Sequence, residues 1–203
     1  MSKPPWYRRP GWTNLPMLIT LGRLAAVPVL VGMLWTEPGV WEARAAMAVF
    51  VIAMLGDIVD GWLARKWGLQ SVTGAFLDPI ADKLMVLAAL IMMIPHGWAP
   101  AWMVLALEAR ELLIAGIRQI AVSEGLVIAA GSLGKFKTAY QATAIGFLLW
   151  HYPTHFFVVT VDAGSVGLAI LLVSVLFSVA SAIEYGWGFY VHHRKKKTLA
   201  SDA

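Results

Sequence analysis

The chain has 203 residues, no cysteine, 16 Lys+Arg against 12 Asp+Glu, and 59% hydrophobic residues with only 14% charged. Globular chains average roughly 25% charged residues, and the mean hydropathy here is +0.70. This composition excludes a disordered chain, a collagen-like fibre, a disulfide-stapled domain and any thiol, iron–sulfur or Cys-zinc chemistry.

The net charge of +4 is read as affinity for an anionic membrane surface, with no nucleic-acid partner. An all-α integral membrane protein is therefore expected. A bilayer core about 30 Å thick needs roughly 20 mostly apolar residues per spanning helix. In chain order, residues 1–13 form an N-terminal interfacial segment carrying Trp6, Tyr7, Arg8, Arg9 and Trp12. Six spans follow within a domain of residues 14–191: Leu15–Trp35, Ala43–Ala64, Gly74–Ile94, Ala101–Val122, Lys135–His151 and Ser165–Tyr190. The first span is read as a retained helix, since no small-residue cleavage site follows it. Residues 192–203 form a solvated basic tail.

Tryptophans sit near the span ends, among them Trp35, Trp41, Trp62, Trp67, Trp98, Trp102, Trp150 and Trp187, as an interfacial belt requires. Threading six spans gathers Lys3, Arg8, Arg9, Arg65, Lys66, Lys135, Lys137 and Arg194–Lys197 on one side, with Arg44 alone opposite. The positive-inside rule makes the crowded side cytoplasmic and puts both termini there.

The second and third spans carry acids where a membrane segment tolerates few. Asp57 and Asp60 lie about 60° apart on one helix face, continued by Gly61 and Ala64. Asp78 and Asp82 lie about 40° apart on the next helix. Pro79 suits that helix's first turn and otherwise kinks it. Two carboxylates about 4 Å apart repel by roughly 4 kcal/mol at an effective dielectric near 20. Either some are protonated or cations sit among them. Oxygen ligands without His or Cys suit hard ions such as Mg²⁺ or Mn²⁺, in a one- or two-metal arrangement. Small residues beside them let a bulky ligand lie against backbone, and Arg65 offers a planar fork for a phosphate or base.

The pattern D-x2-D-G-x2-A-R-x8-G-x3-D-x3-D is met in full by Asp57, Asp60, Gly61, Ala64, Arg65, Gly74, Asp78 and Asp82. It resembles the signature of the CDP-alcohol phosphotransferases, membrane enzymes of phospholipid synthesis. The resemblance implies a divalent metal pair on the four aspartates, with Asp82 as base on the acceptor hydroxyl. It further implies that Asp57, Asp60, Gly61, Arg65, Ser71 and Gly74 contact the CDP moiety. A homodimer in a bacterial inner (cytoplasmic) membrane, with its site facing the cytoplasm, is implied as well. The five histidines fall at segment ends or in loops, and no Ser nucleophile has a His partner, so one direct displacement is expected.

The fourth span carries Glu108, Arg110, Glu111 and Arg118, each costly at mid-bilayer. Mutual neutralisation explains part of this. Together with Lys135 and Lys137, the cations Arg110 and Arg118 are also placed to hold a second phosphate, an inference from charge and position. The run around them, and the opening Asn14–Arg23 stretch, resemble the phosphatidylglycerophosphate synthase branch, except that Met17 stands where that branch has Asn. The implied reaction is CDP-diacylglycerol plus sn-glycerol 3-phosphate giving phosphatidylglycerophosphate and CMP. Phosphatidylglycerol or an inositol phosphate as acceptor is the rival within the family. A cation channel or transporter is the rival outside it, which would spread its acids over several depths.

Overall fold

The computed structural model describes residues 15–67, 72–123, 133–156 and 159–201. Six helices run as α1 Leu15–Met33, α2 Val40–Trp67, α3 Val72–Met93, α4 Ala101–Ser123, α5 Leu133–Trp150 and α6 Ala163–Ser201. The helical bundle matches the expectation. The interfacial segment 1–13 and the loop serine Ser71 lie outside the described residues.

Two departures from expectation stand out. A short antiparallel ribbon, β1 Thr154–Phe156 and β2 Val159–Val161, links α5 to α6 and pairs Thr154 with Val161. Its β-branched and aromatic residues favour a pleated strand over a helix. The ribbon is confined to this connection, and the fold class remains all-helical. Second, α6 continues in one helix to Ser201. The run Arg194–Leu199 consists mainly of good helix formers, so the basic tail extends the helix instead of leaving it.

Each connection is fixed by local chemistry. Gly39 N–H donates to Glu42 Oε2 at 2.5 Å, closing one half of a capping box at the start of α2. α3 ends where Gly97 takes φ +69° and Trp98 N–H returns to Met93 O at 3.0 Å, a left-handed stop that favours glycine. Asp162 caps α6, accepting from Gly164 N–H at 3.1 Å and from Ser165 Oγ at 2.5 Å. Hydrogen bonds from Ser165 hold its carboxyl below the ordinary value. Pro79 stands inside α3, past the first turn, and so supplies no ladder donor between the two aspartates of that helix.

α1 packs on α2 and α3, while α6 packs on α5 and α4, and α2 joins the two halves through α5. The buried cluster draws on Leu30 and Leu34 of α1, Ala43–Ala53 of α2, Met85–Met93 of α3, Met103–Leu107 of α4, Ala144–Leu149 of α5 and Leu171–Val175 of α6. These are the last turns of α1, α3 and α5 and the first turns of α2, α4 and α6. The dense apolar core therefore occupies one end of the bundle. That end is finished by Trp98, which stacks on His151 at 4.2 Å and meets His96 at 5.4 Å. Arg44, the cation expected to stand alone there, is covered by the Trp150 and Trp41 rings at 4.8 and 5.5 Å.

Among the described residues, Ala163–Val191 is long and apolar enough to cross a membrane, and Met17–Met33 is a shorter apolar stretch. Asp78, Asp82 and Lys83 interrupt the apolar run of α3, and Glu108, Arg110, Glu111 and Arg118 that of α4.

The α5–α6 contact is the closest backbone approach among the described glycines: a Cβ on Gly167 would stand 2.8 Å from Leu148 Cγ and 2.9 Å from Leu148 N. Gly167→Ala is expected to lower stability by about 1–3 kcal/mol. Gly146→Ala, where nothing lies within 4 Å, should be neutral or stabilising by about 0.5–1 kcal/mol. Thermal unfolding of the two variants in detergent checks the contrast.

Candidate active site

The polar residues collect at the end of the bundle opposite the apolar core. Asp57 and Asp60 fall near the C-terminal end of α2, whereas Asp78 and Asp82 fall in the N-terminal half of α3. The four therefore share one end. The side chains of Asp57, Asp60, Gly61, Arg65, Gly74 and Lys135 lie outside the described residues, so the meeting of all four carboxylates rests on helix position.

Asp78 and Asp82 are described, and α1 supplies their partners. Thr20 Oγ1 donates to Asp78 Oδ1 at 2.8 Å. Arg23 Nη2 stands 3.6 Å from Asp82 Oδ1. Thr20 and Arg23 are three residues apart and Asp78 and Asp82 four, so each pair occupies one helix face and the two faces meet. Arg23 is 3% exposed and Asp82 34%. The buried guanidinium is thus an ion-pair partner of a half-open carboxylate. Sequence reasoning had Thr20 and Arg23 only within a motif resemblance. Their roles come from packing between distant helices, though an arginine among apolar residues of α1 was itself a signal.

Beside this acidic cluster lies a cationic one. Glu111 Oε1 accepts from Arg110 Nη1 at 2.7 Å and from Lys137 Nζ, and Glu111 Oε2 lies 3.6 Å from Lys83 Nζ. Lys83 thus pairs with Glu111 on the next helix. Arg110 Nη2 also donates to Ser181 Oγ at 2.6 Å. That hydroxyl spends its proton on Ser178 O at 3.0 Å, leaving a lone pair for the guanidinium. Lys137 is buried, with its own carbonyl accepting from Ser174 Oγ at 3.3 Å.

Of the four cations expected to hold a second phosphate, Arg110 and Lys137 are brought together. Both already engage Glu111. Arg118 stands two turns farther along α4, with its guanidinium 5.9 Å from the Tyr185 ring centroid.

The family description that matches this chain, over residues 13–181, is CDP-alcohol phosphatidyltransferase. The chain belongs to that family. Among relatives of this phosphatidyltransferase, the CDP-diacylglycerol–glycerol-3-phosphate 3-phosphatidyltransferase of Bacillus subtilis (strain 168) is 39% identical over 183 residues, 85% of this chain and 93% of the relative. The protein of the same name from Escherichia coli (strain K12) is 32% identical, over 85% of this chain and 92% of its own length. The cardiolipin synthase (CMP-forming) of Oryza sativa subsp. japonica is 35% identical over 87% of this chain, spanning 57% of that protein.

The Thr20–Asp78 bond has a direct consequence. A hydrogen bond to a charged group contributes about 1.5–3 kcal/mol, so Thr20→Val is expected to lower kcat/KM about tenfold or more while Thr20→Ser retains it. Steady-state kinetics with matched thermal unfolding curves separate this from a loss of folded protein.

Proposed function

We propose that this phosphatidyltransferase moves the phosphatidyl group of CDP-diacylglycerol to sn-glycerol 3-phosphate, giving phosphatidylglycerophosphate and CMP. The observation that carries the reading is the placement of an acidic and a cationic cluster side by side at one end of the bundle, away from the apolar core. The names of the Bacillus subtilis and Escherichia coli relatives support the acceptor.

The donor set fits hard divalent cations. It is all oxygen, and one Thr20 bond on Asp78 leaves most of that carboxylate's roughly four acceptor sites open. Asp57, Asp60, Asp78 and Asp82 would hold two ions, Mg²⁺ or Mn²⁺, which when bound supply neutralisation of the pyrophosphate and of the departing CMP. Gly61 and Gly74 let the nucleotide lie against helix backbone, and Asp57, Asp60, Arg65 and Ser71 contact it. The acceptor hydroxyl oxygen attacks the phosphatidyl phosphorus and the bond to CMP breaks in the same displacement. Asp82 takes the hydroxyl proton, and the buried Arg23 steadies the carboxylate that receives it. Arg110, Arg118, Lys135 and Lys137 hold the acceptor phosphate.

The surface supports a membrane setting. Ile52, Leu112 and Ile183 are 70%, 74% and 68% exposed, and such large exposed apolar side chains on α2, α4 and α6 favour lipid contact over water. Six helices spanning a bacterial inner membrane, with both termini and the site cytoplasmic, let acyl chains stay in lipid while glycerol phosphate and CMP exchange with the cytosol. Residues 14–191 form the catalytic domain between an interfacial segment, 1–13, and a basic tail, 192–203. The working unit is a homodimer.

The likeness to rice cardiolipin synthase favours one second reading, phosphatidylglycerol as acceptor. A phosphate monoester carries more charge than that diester, and the Arg110–Lys137–Lys83 cluster suits the monoester better.

Purified protein given CDP-diacylglycerol, Mg²⁺ and labelled glycerol 3-phosphate is expected to release CMP and form a labelled lipid. Turnover only with phosphatidylglycerol or an inositol phosphate would reassign the acceptor. In the same assay Asp82→Asn should lose about 10²–10⁴-fold in kcat while liponucleotide binding persists.

Lys137→Ala removes a buried cation, and at about 1.4 kcal/mol per factor of ten its loss should raise KM for glycerol 3-phosphate about tenfold or more. The KM for CDP-diacylglycerol should move much less. A larger effect on the liponucleotide would place the acceptor phosphate elsewhere.

A further inference from the structure

Arg23 is more deeply buried than any ligand contact requires of it. Its side chain is 3% exposed, on an α1 face otherwise committed to apolar packing and to Thr20. Its stem lies against α2 at Gly56, where an added Cβ would stand 3.5 Å from Arg23 Cδ and 3.3 Å from Ile19 Cγ2. Gly56 directly precedes Asp57. On the other side, Nη2 faces Asp82 Oδ1 at 3.6 Å. The guanidinium thus sits where α1, α2 and α3 meet.

Counting from the site-side end of each helix, Arg23 lies about 12 Å into α1, while Asp57 and Asp82 each lie about 15 Å into theirs. Asp60 and Asp78 lie nearer the end. Arg23 therefore stands between the levels of the outer and the inner pair of aspartates.

We propose that Arg23 is a resident counter-cation of the carboxylate cluster, setting its charge and weakening its hold on divalent ions. This rests on the reading that the aspartates bind metal. Four ionised aspartates carry four negative charges, and Arg23 reduces this to three. Two divalent ions then leave the site with one net positive charge, matched to an anionic pyrophosphate. Without Arg23 the loaded site is neutral and the empty site is more repulsive. The fixed cation also keeps the inner carboxylates together between turnovers, and it repels incoming ions enough for their binding to remain reversible. A guanidinium suits this post because its charge is permanent and weakly hydrated.

The test is Mn²⁺ binding to the full-length protein in detergent, read from the EPR signal of free Mn²⁺. Arg23→Gln is expected to bind Mn²⁺ about tenfold more tightly than wild type, and Arg23→Lys, which keeps the charge, within about twofold of it. Ordinary damage to a site loosens metal, so the sign separates the two cases. Unchanged or weaker binding in Arg23→Gln overturns the proposal and leaves the metal reading intact. Absence of Mn²⁺ binding by folded wild type overturns both. Should Arg23→Gln fail to fold, Arg23→Lys decides: retained affinity supports a role through charge, and a loss beyond about twofold assigns Arg23 a geometric role instead.

Discussion

Like charges placed together in a low-dielectric setting repel more strongly than a protein's net stability can readily absorb. The acidic end of this bundle is arranged around that fact. Asp78 and Asp82 extend from α3 at helical spacing and are met from α1 by a hydroxyl donor and a buried guanidinium. The first helix therefore lines the acidic end of the bundle. Its packing on both α2 and α3 places one donor face against both acid-bearing helices.

The opposite end makes this affordable. Leu30, Leu34, Phe50, Leu90, Met93, Leu107, Ile145, Leu148, Leu149 and Leu171 are all buried there, and Gly167 lets α6 close on α5 without an intervening side chain. Caps at Gly39, Gly97 and Asp162 fix the turns at that end. Six helices pinned at one end can hold polar side chains at the other without a continuous apolar seam between them.

Much of this was legible in the sequence. Helix count and approximate limits followed from apolar stretches, and the helical spacing of Asp57/Asp60 and Asp78/Asp82 put each pair on one face. What a single chain read locally could not give was pairing across helices. Thr20 with Asp78 are 58 residues apart, and Arg110 with Ser181 are 71 apart. The ribbon at Thr154–Val161 was missed because two three-residue strands leave too little alternation to separate from a loop. The length of α6 was missed because a basic run was read as solvated tail, when lysine, arginine and leucine also favour helix.

The cationic cluster shows how charge reading needs its partners. Arg110 and Lys137 were expected to await a phosphate, yet both are held by one carboxylate of Glu111, joined by Lys83 at 3.6 Å. Three cations on one carboxylate, with Glu108 one turn back along α4 as the nearby second acid, leave an excess of positive charge. That carboxylate keeps the cations from repelling one another in the absence of substrate. On the proposed reading, an arriving phosphate monoester would bring up to two negative charges to a set already oriented by Ser181 and by the buried course of Lys137. Acidic and cationic clusters thus solve the same problem with opposite signs. Each cluster includes a counter-charge, Arg23 beside Asp82 in one and Glu111 in the other.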